Sequence, residues 1–145
     1  MNLLYRHKQT GYVVIGALSA GFIVMVVVVF KTAFNPIAVM ISIVLAICLY
    51  LFHSLTIEIN DQHLTFFFSH GFLKKKIPIA EIEKSEIVTN RWYYGWGVRL
   101  TQDGWLYNVS GLKAVEIKRK NGKTLRIGSD EPEQVKKVLE NMKYD

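Results

Sequence analysis

Between Gly11 and Phe52 the chain carries one charge, Lys31. Two unbroken apolar runs lie on either side of it, Tyr12–Phe30 and Ile37–Phe52, separated by a short segment that ends in Asn35-Pro36. A helix rises about 1.5 Å per residue, so the first run matches the roughly 30 Å of a bilayer core. The second run is shorter and crosses with modest adjustment of the bilayer. The stretch is therefore predicted to be a transmembrane helical hairpin, with spans over about 11–30 and 36–53. Val26–Val29 is a β-branched run that would suit a strand in water. In lipid only a helix satisfies its own backbone over such a length, so the helix is expected there too.

Charge divides at the same boundary. Residues 1–53 hold Arg6, Lys8 and Lys31 and no acid, while all twelve Asp and Glu lie in residues 54–145 with the other fifteen of the 18 Lys and Arg. The net charge of +6 thus splits evenly, +3 on the anchor and +3 on residues 54–145. A nucleic-acid-binding protein of this pI should show a basic helix or stripe, and no such pattern is present, so no nucleic acid is expected as partner. The single cysteine, Cys48, has no partner for an intramolecular disulfide and reads as a small apolar residue of the second span. Arg6-His7-Lys8 resembles the basic start of a signal peptide. However, the run after it is longer than a signal core, lacks a small-x-small cleavage pattern and is followed by a second apolar run, so a retained anchor is expected.

Met1–Thr10 reads as a short amphipathic lead into the membrane. Basic residues gather at both outer ends of the hairpin, with Lys31 alone in the turn, which predicts both termini in the cytoplasm at the cell membrane. Gly16/Ala20 and Ala17/Gly21 have the spacing that lets helix backbones approach closely, either within the hairpin or between two copies of the chain.

Beyond His53 the pattern changes from continuous to alternating, so residues 54–145 are predicted as a separate β-domain. Leu55, Ile57 and Ile59 share one face of a half-buried strand, and Asn60–His63 is a turn. Strands are expected next over Leu64–Ser69 and Phe72–Ile77, the latter ended by Pro78. Ile79–Val88 is mixed, helical in its first residues and strand-like from Glu86. Asp103-Gly104 and Asn121-Gly122 close two hairpins, Val98–Thr101 with Trp105–Val109 and Ala114–Lys118 with Thr124–Ile127. Val135, Val138, Leu139 and Met142 make an amphipathic stripe, and Ser129 or Asp130 with Pro132 and Glu133 supply a start signal, predicting a C-terminal helix over 131–142. The fold class expected is a membrane-anchored α+β protein, its antiparallel sheet or barrel of about seven strands capped by that helix.

This order of strands and final helix is similar to a pleckstrin-homology-type domain. The segments Tyr94–Leu100, Gly104–Gly111, Ala114–Ile117 and Ile127–Glu133 resemble the bacterial pleckstrin-homology-like membrane proteins, many of which place one or two transmembrane helices before the domain. The resemblance covers about residues 55–143 and implies a bent antiparallel sheet closed by the last helix. Eukaryotic relatives that bind phosphoinositides use a basic first loop. Here that loop, Asn60-Asp61-Gln62-His63, has no Lys or Arg, which argues against that ligand.

No pattern points to catalysis or a cofactor. Gly95-x-Gly97 is too short for a phosphate loop and runs into a strand. Asp61, His63 and His70 lack metal-ligand spacing, and Glu81, Glu83 and Glu86 read as a solvated face. Two basic patches and an aromatic cluster are the candidate contacts. Lys74, Lys75 and Lys76, and Lys118, Arg119 and Lys120 with Lys123, either face anionic lipid or guard a sheet edge. Arg91, Trp92, Tyr93 and Tyr94, with Trp96, Trp105 and Tyr107 nearby, either cover the sheet or form a loop at the bilayer interface or a partner pocket. The function expected is a non-enzymatic, membrane-tethered interaction module that binds a protein partner or self-associates. An anionic-lipid sensor and an accessory subunit of a membrane enzyme are the alternatives.

Overall fold

In the computed structural model, which describes residues 2–144, nine strands and three α-helices make an α+β fold. Strand β1 (Leu3–Thr10) runs directly into helix α1 (Tyr12–Lys31), and α2 (Pro36–Phe52) runs directly into β2 (Ser54–Asn60). Asn35 caps α2, its side chain accepting the Ile37 N–H at 2.9 Å, and Pro36 occupies the first turn, where its missing N–H leaves no bond unmade. Helix α1 is long and apolar enough to cross a membrane, with a mean hydropathy of 2.9 over its best window. At 17 residues α2 is apolar but shorter. The two helices pack side by side, and a Cβ placed at Gly21 would lie 3.7 Å from Leu45. At Gly16 nothing lies within 4 Å, so only one of the two small-residue pairs faces α2.

The rest of the chain forms two sheets. The first has order β1-β2-β3-β4, with β3 His63–Phe68 and β4 Phe72–Pro78. The second has order β5-β8-β9-β7-β6, with β5 Ile82–Thr89, β6 Gly97–Thr101, β7 Gly104–Asn108, β8 Lys113–Arg119 and β9 Thr124–Gly128. Ile57, Ile59, Leu64, Phe66 and Phe68 of the first sheet share one core with Val115, Ile117 and Ile127 of the second. Helix α3 (Pro132–Tyr144) closes one side of it with Val135 and Leu139, both essentially unexposed. The amphipathic stripe read from the sequence is the face that packs, because apolar residues at that spacing can leave water only together.

Three expectations need correction. The lead before the first apolar run is no lead, since residues 3–10 form β1, paired antiparallel with β2 from Leu3↔Asn60 to Thr10↔Ser54. Its core-facing positions are Tyr5, His7 and Gln9 (opposite Ile59, Ile57 and Leu55), so the alternation carries no aliphatic residues and is faint in the sequence. The strand count is nine rather than about seven, with β1 and a full-length β5 as additions, the latter preceded by a single 3-10 turn at Ile79–Glu81. Nor are all pairs antiparallel. Strand β9 lies between β8 and β7 and runs parallel to β7, with Trp105↔Leu125 and Tyr107↔Ile127 in register. The chain leaves β7, passes over one place in the sheet to lay down β8 beside β5, and β9 fills the gap.

Gly11, at the strand-to-helix junction, donates its N–H to the His53 carbonyl at 2.7 Å. A Cβ there would stand 2.9 Å from that of Val109, so the backbone itself makes the contact between the helices and the β7–β8 connection. At the α3 start the Ser129 hydroxyl accepts the Glu131 N–H at 3.0 Å. The Asp130 carboxylate, one of the expected caps, lies 2.7 Å from His7 Nε2.

Candidate functional site

Strand pleating divides each basic run between two faces, because successive side chains on a strand point oppositely. In β4, Lys75 stands opposite the buried Phe66, and Lys76 opposite Thr65. Lys74 lies over the Phe67 ring at 5.6 Å. In the second patch Lys118 faces Glu83 at 3.8 Å, while Arg119 turns inward to an ion pair with Glu81. Lys120 is exposed, and its backbone N–H donates to the Glu81 carbonyl at 2.9 Å.

The division brings together what the sequence keeps apart. Lys75 and Lys76 of β4 and Arg119 and Lys123 of the β8–β9 hairpin line one groove of about 480 Å³. Its apolar wall includes Phe66, Leu73, Val98, Trp105 and Tyr107. Among the described residues no acidic side chain lines it. Burial holds the Tyr107 phenol above its ordinary pKa, as expected for a hydroxyl in an apolar wall. The groove lies beside β4, an edge strand of its sheet.

The aromatic segment is arranged differently. Trp92–Tyr94 form a 3-10 turn between β5 and β6. The Tyr94 hydroxyl donates to Asp103 Oδ2 at 2.8 Å, and this hydrogen bond raises the phenol's pKa. Asp103 in turn lies 3.2 Å from Arg126, whose side chain is 11% exposed and holds Glu116 at 2.7 Å. Tyr94 is thus tied to the second sheet through a chain of charges, and Trp92 and Tyr93 stand outside, 75% and 55% exposed. Arg91 hydrogen-bonds Tyr93 and lies over its ring. Trp96 donates to the Gly111 carbonyl at 3.0 Å and, with Gly95 and Gly97, borders an apolar cleft of about 570 Å³ against Ala17, Leu18 and Phe52 at the base of the helices.

A third cluster joins the first strand to the last helix. His7 Nδ1 lies 3.5 Å from Glu131, and the Tyr5 hydroxyl donates to the same carboxylate at 3.2 Å. Burial, then the nearby Glu131 charge, pushes the Tyr5 phenol well above its ordinary value. The remaining histidines do not assemble with acids. His70 stacks on Tyr50 with ring centres 5.7 Å apart and lies 5.9 Å from His53. Among the described residues no three His, Cys, Asp or Glu side chains gather as a metal set would.

Sequence reasoning found the cations of the groove and its tryptophan but not their meeting. Phe66 was legible only as a strand residue. The signal available was Lys75 sharing a face with Leu73 and Ile77, a charge placed where the core pattern asks for an aliphatic side chain. Comparison with protein families, curated proteins and solved structures finds no match to this chain.

Proposed function

We propose that this chain is a membrane-tethered interaction module, in which α1 and α2 cross the bilayer and the two-sheet domain works at its surface. One observation carries the reading. Thr10 pairs with Ser54, so the chain departs for the helices and returns from them at adjacent positions of one sheet. A first crossing by α1 then calls for a second by α2, whatever its shorter length. The surface of the helical pair agrees, with Ile23, Val24, Phe30, Met40, Ile43 and Ile47 each more than half exposed. Water would penalise such an apolar exterior, and lipid does not. A cleaved leader fits poorly, since its removal would strip β1 from the sheet and Val14 from the core. The basic residues on β1 and β4 favour a cytoplasmic domain. The similarity to bacterial pleckstrin-homology-like proteins is part of the same proposal, supported by the C-terminal helix against the strands.

Tethering raises the local concentration of weak contacts, so a small domain of modest affinity suffices for recruitment or self-association. Co-purification of the full chain from native membranes tests this. A reproducible protein partner or a stable homo-oligomer is expected. A strictly monomeric protein with no partner would remove the proposal. A reporter fused after Asp145 should score as cytoplasmic.

A second reading, an anionic-lipid sensor, draws on Trp96 beside the helix base and the exposed Arg91–Trp92–Tyr93 turn. Because β1 belongs to the first sheet, the test needs the full chain. In nanodiscs, tryptophan quenching by lipid-borne quenchers should rise when neutral lipid is replaced by anionic lipid. Equal quenching in both would end this reading.

A further inference from the structure

The groove beside β4 says which kind of partner such a module takes. We infer that it docks an extended acidic segment of another protein, added as a strand to the β4 edge with its apolar side chains in the groove. The inference rests on the interaction-module reading and narrows it.

The geometry starts with the edge. Strand β4 is hydrogen-bonded on one side only, to β3. Its regular part is short. The register shifts between Phe66 and Phe68, Leu73 has a positive φ of 51°, and Pro78 has no N–H to offer. Lys74–Ile77 is left as the pairing stretch, long enough for a partner strand of about four to six residues. Main-chain bonds to such an edge give affinity, and alternate side chains entering pockets give specificity. Here alternate residues of an added strand would meet the groove wall of Trp105, Tyr107 and Val98.

Charge then selects the occupant. Arg119 is neutralised by Glu81, which leaves Lys75 and Lys123 as uncompensated cations on the groove side, while Lys74 and Lys76 share the other face of β4, where an added strand with its apolar side chains in the groove carries its acids. A second copy pairing β4 to β4 would set lysine against lysine, which opposes association. An acidic strand meets the reverse situation. Position argues against a lipid surface. Phe52 of α2 packs on Phe68 and Phe72, which marks the start of β4 as its membrane end. On the second sheet Val109 contacts Gly11 at the helix base, whereas Thr124 pairs with Lys118 at the other end of the ladder. Lys123 beside it, and the end of the groove that it closes, therefore lie away from the helices, while Leu73 and Val98 line the end nearer to them.

The test uses the full chain in nanodiscs of neutral lipid and a fluorescein-labelled peptide, Glu-Val-Glu-Ile-Glu-Val-Glu. Fluorescence anisotropy should show saturable binding that weakens as salt rises. Charge reversal by Lys74→Glu with Lys76→Glu, on the face of β4 where the glutamates of the added strand lie, should weaken it at least tenfold, and each single variant by less. The same peptide N-methylated at every amide keeps its charge but has no N–H to donate to the β4 edge, and should bind at least tenfold more weakly. Unaltered binding of the double variant would overturn the acidic strand at the β4 edge, and equal binding of the N-methylated peptide would overturn strand addition. Thermal unfolding of each variant in the same nanodiscs confirms that the fold is retained. The double variant also separates this inference from the reading beneath it. If it still captures the partner that wild type captures from native membranes, the acidic-strand site falls and the module stands.

Discussion

The helical pair and the two-sheet domain are made from the same aliphatic residues and use them in opposite ways. On α1, Ile23 is 62% exposed, and in β2, Ile59 is not exposed at all. The β-domain gathers its apolar side chains between sheets and under α3, as a chain in water must. The helices turn theirs outward and keep only Val14, Ala38 and Ser42 buried. The contrast teaches that one chain can bury its aliphatic residues in one region and expose them in another, and that the change falls at two adjacent residues, Thr10 and Ser54, the boundary that the proposed membrane reading requires.

Truncating the two isoleucines gives the largest separation. Ile59→Ala should lower unfolding free energy by about 2–5 kcal/mol, while Ile23→Ala, which opens no cavity, should change it by less than about 1 kcal/mol. Denaturant titration of the full chain in detergent, followed by tryptophan fluorescence, measures both. Similar losses would erase the distinction between the regions. Placing a charge breaks the comparison from the other side. Val24 is 60% exposed, so Val24→Arg would be harmless in water but should oppose insertion by about 2.5–3.5 kcal/mol at the centre of a span. Alkaline carbonate extraction of membranes expressing the variant reads the result, and full membrane retention would count against a spanning α1.

The junction between the regions is the next target. Gly11→Val forces a side chain onto Val109 and should destabilise by about 1–3 kcal/mol, seen as a lower Tm. An unchanged Tm would mean that the helices and the domain are not held by this contact. The smallest effect concerns pH. Tyr5 is held above its ordinary pKa of 10.0, so the folded state binds its proton more tightly than the unfolded chain does. That stabilisation is complete below pH 10 and is lost as pH rises beyond it, since the unfolded tyrosine ionises first. Tyr5→Phe should flatten the alkaline fall in stability, and an identical slope would show that Tyr5 contributes nothing to it.

How much was readable depends on how each element declares itself. The apolar runs and the stripe on α3 repeat one signal over many residues, and both appear where the pattern puts them. The two Gly turns likewise mark their hairpins, because few residues accept the positive φ seen at Gly104 and Gly122. Strand β1 was hidden by its inward Tyr, His and Gln. Its worth lies in pairing with residues about fifty positions away, which no local pattern records. The groove was hidden for a related reason. Lys75 and Lys123 are far apart in sequence, and the parallel placement of β9 beside β7 sets the hairpin bearing Lys123 opposite β4.

By itself, the sequence determined the helices, most strands and the sharp change from continuous to alternating hydrophobicity, because these rest on local periodicity and on which residues avoid water. The tertiary structure decided that the strand before the first helix belongs with the β-domain, that β9 runs parallel to β7, and that two lysine runs contribute to a single groove. Those outcomes depend on hydrogen bonds and packing between distant segments, whose energies exist only once the chain has closed on itself.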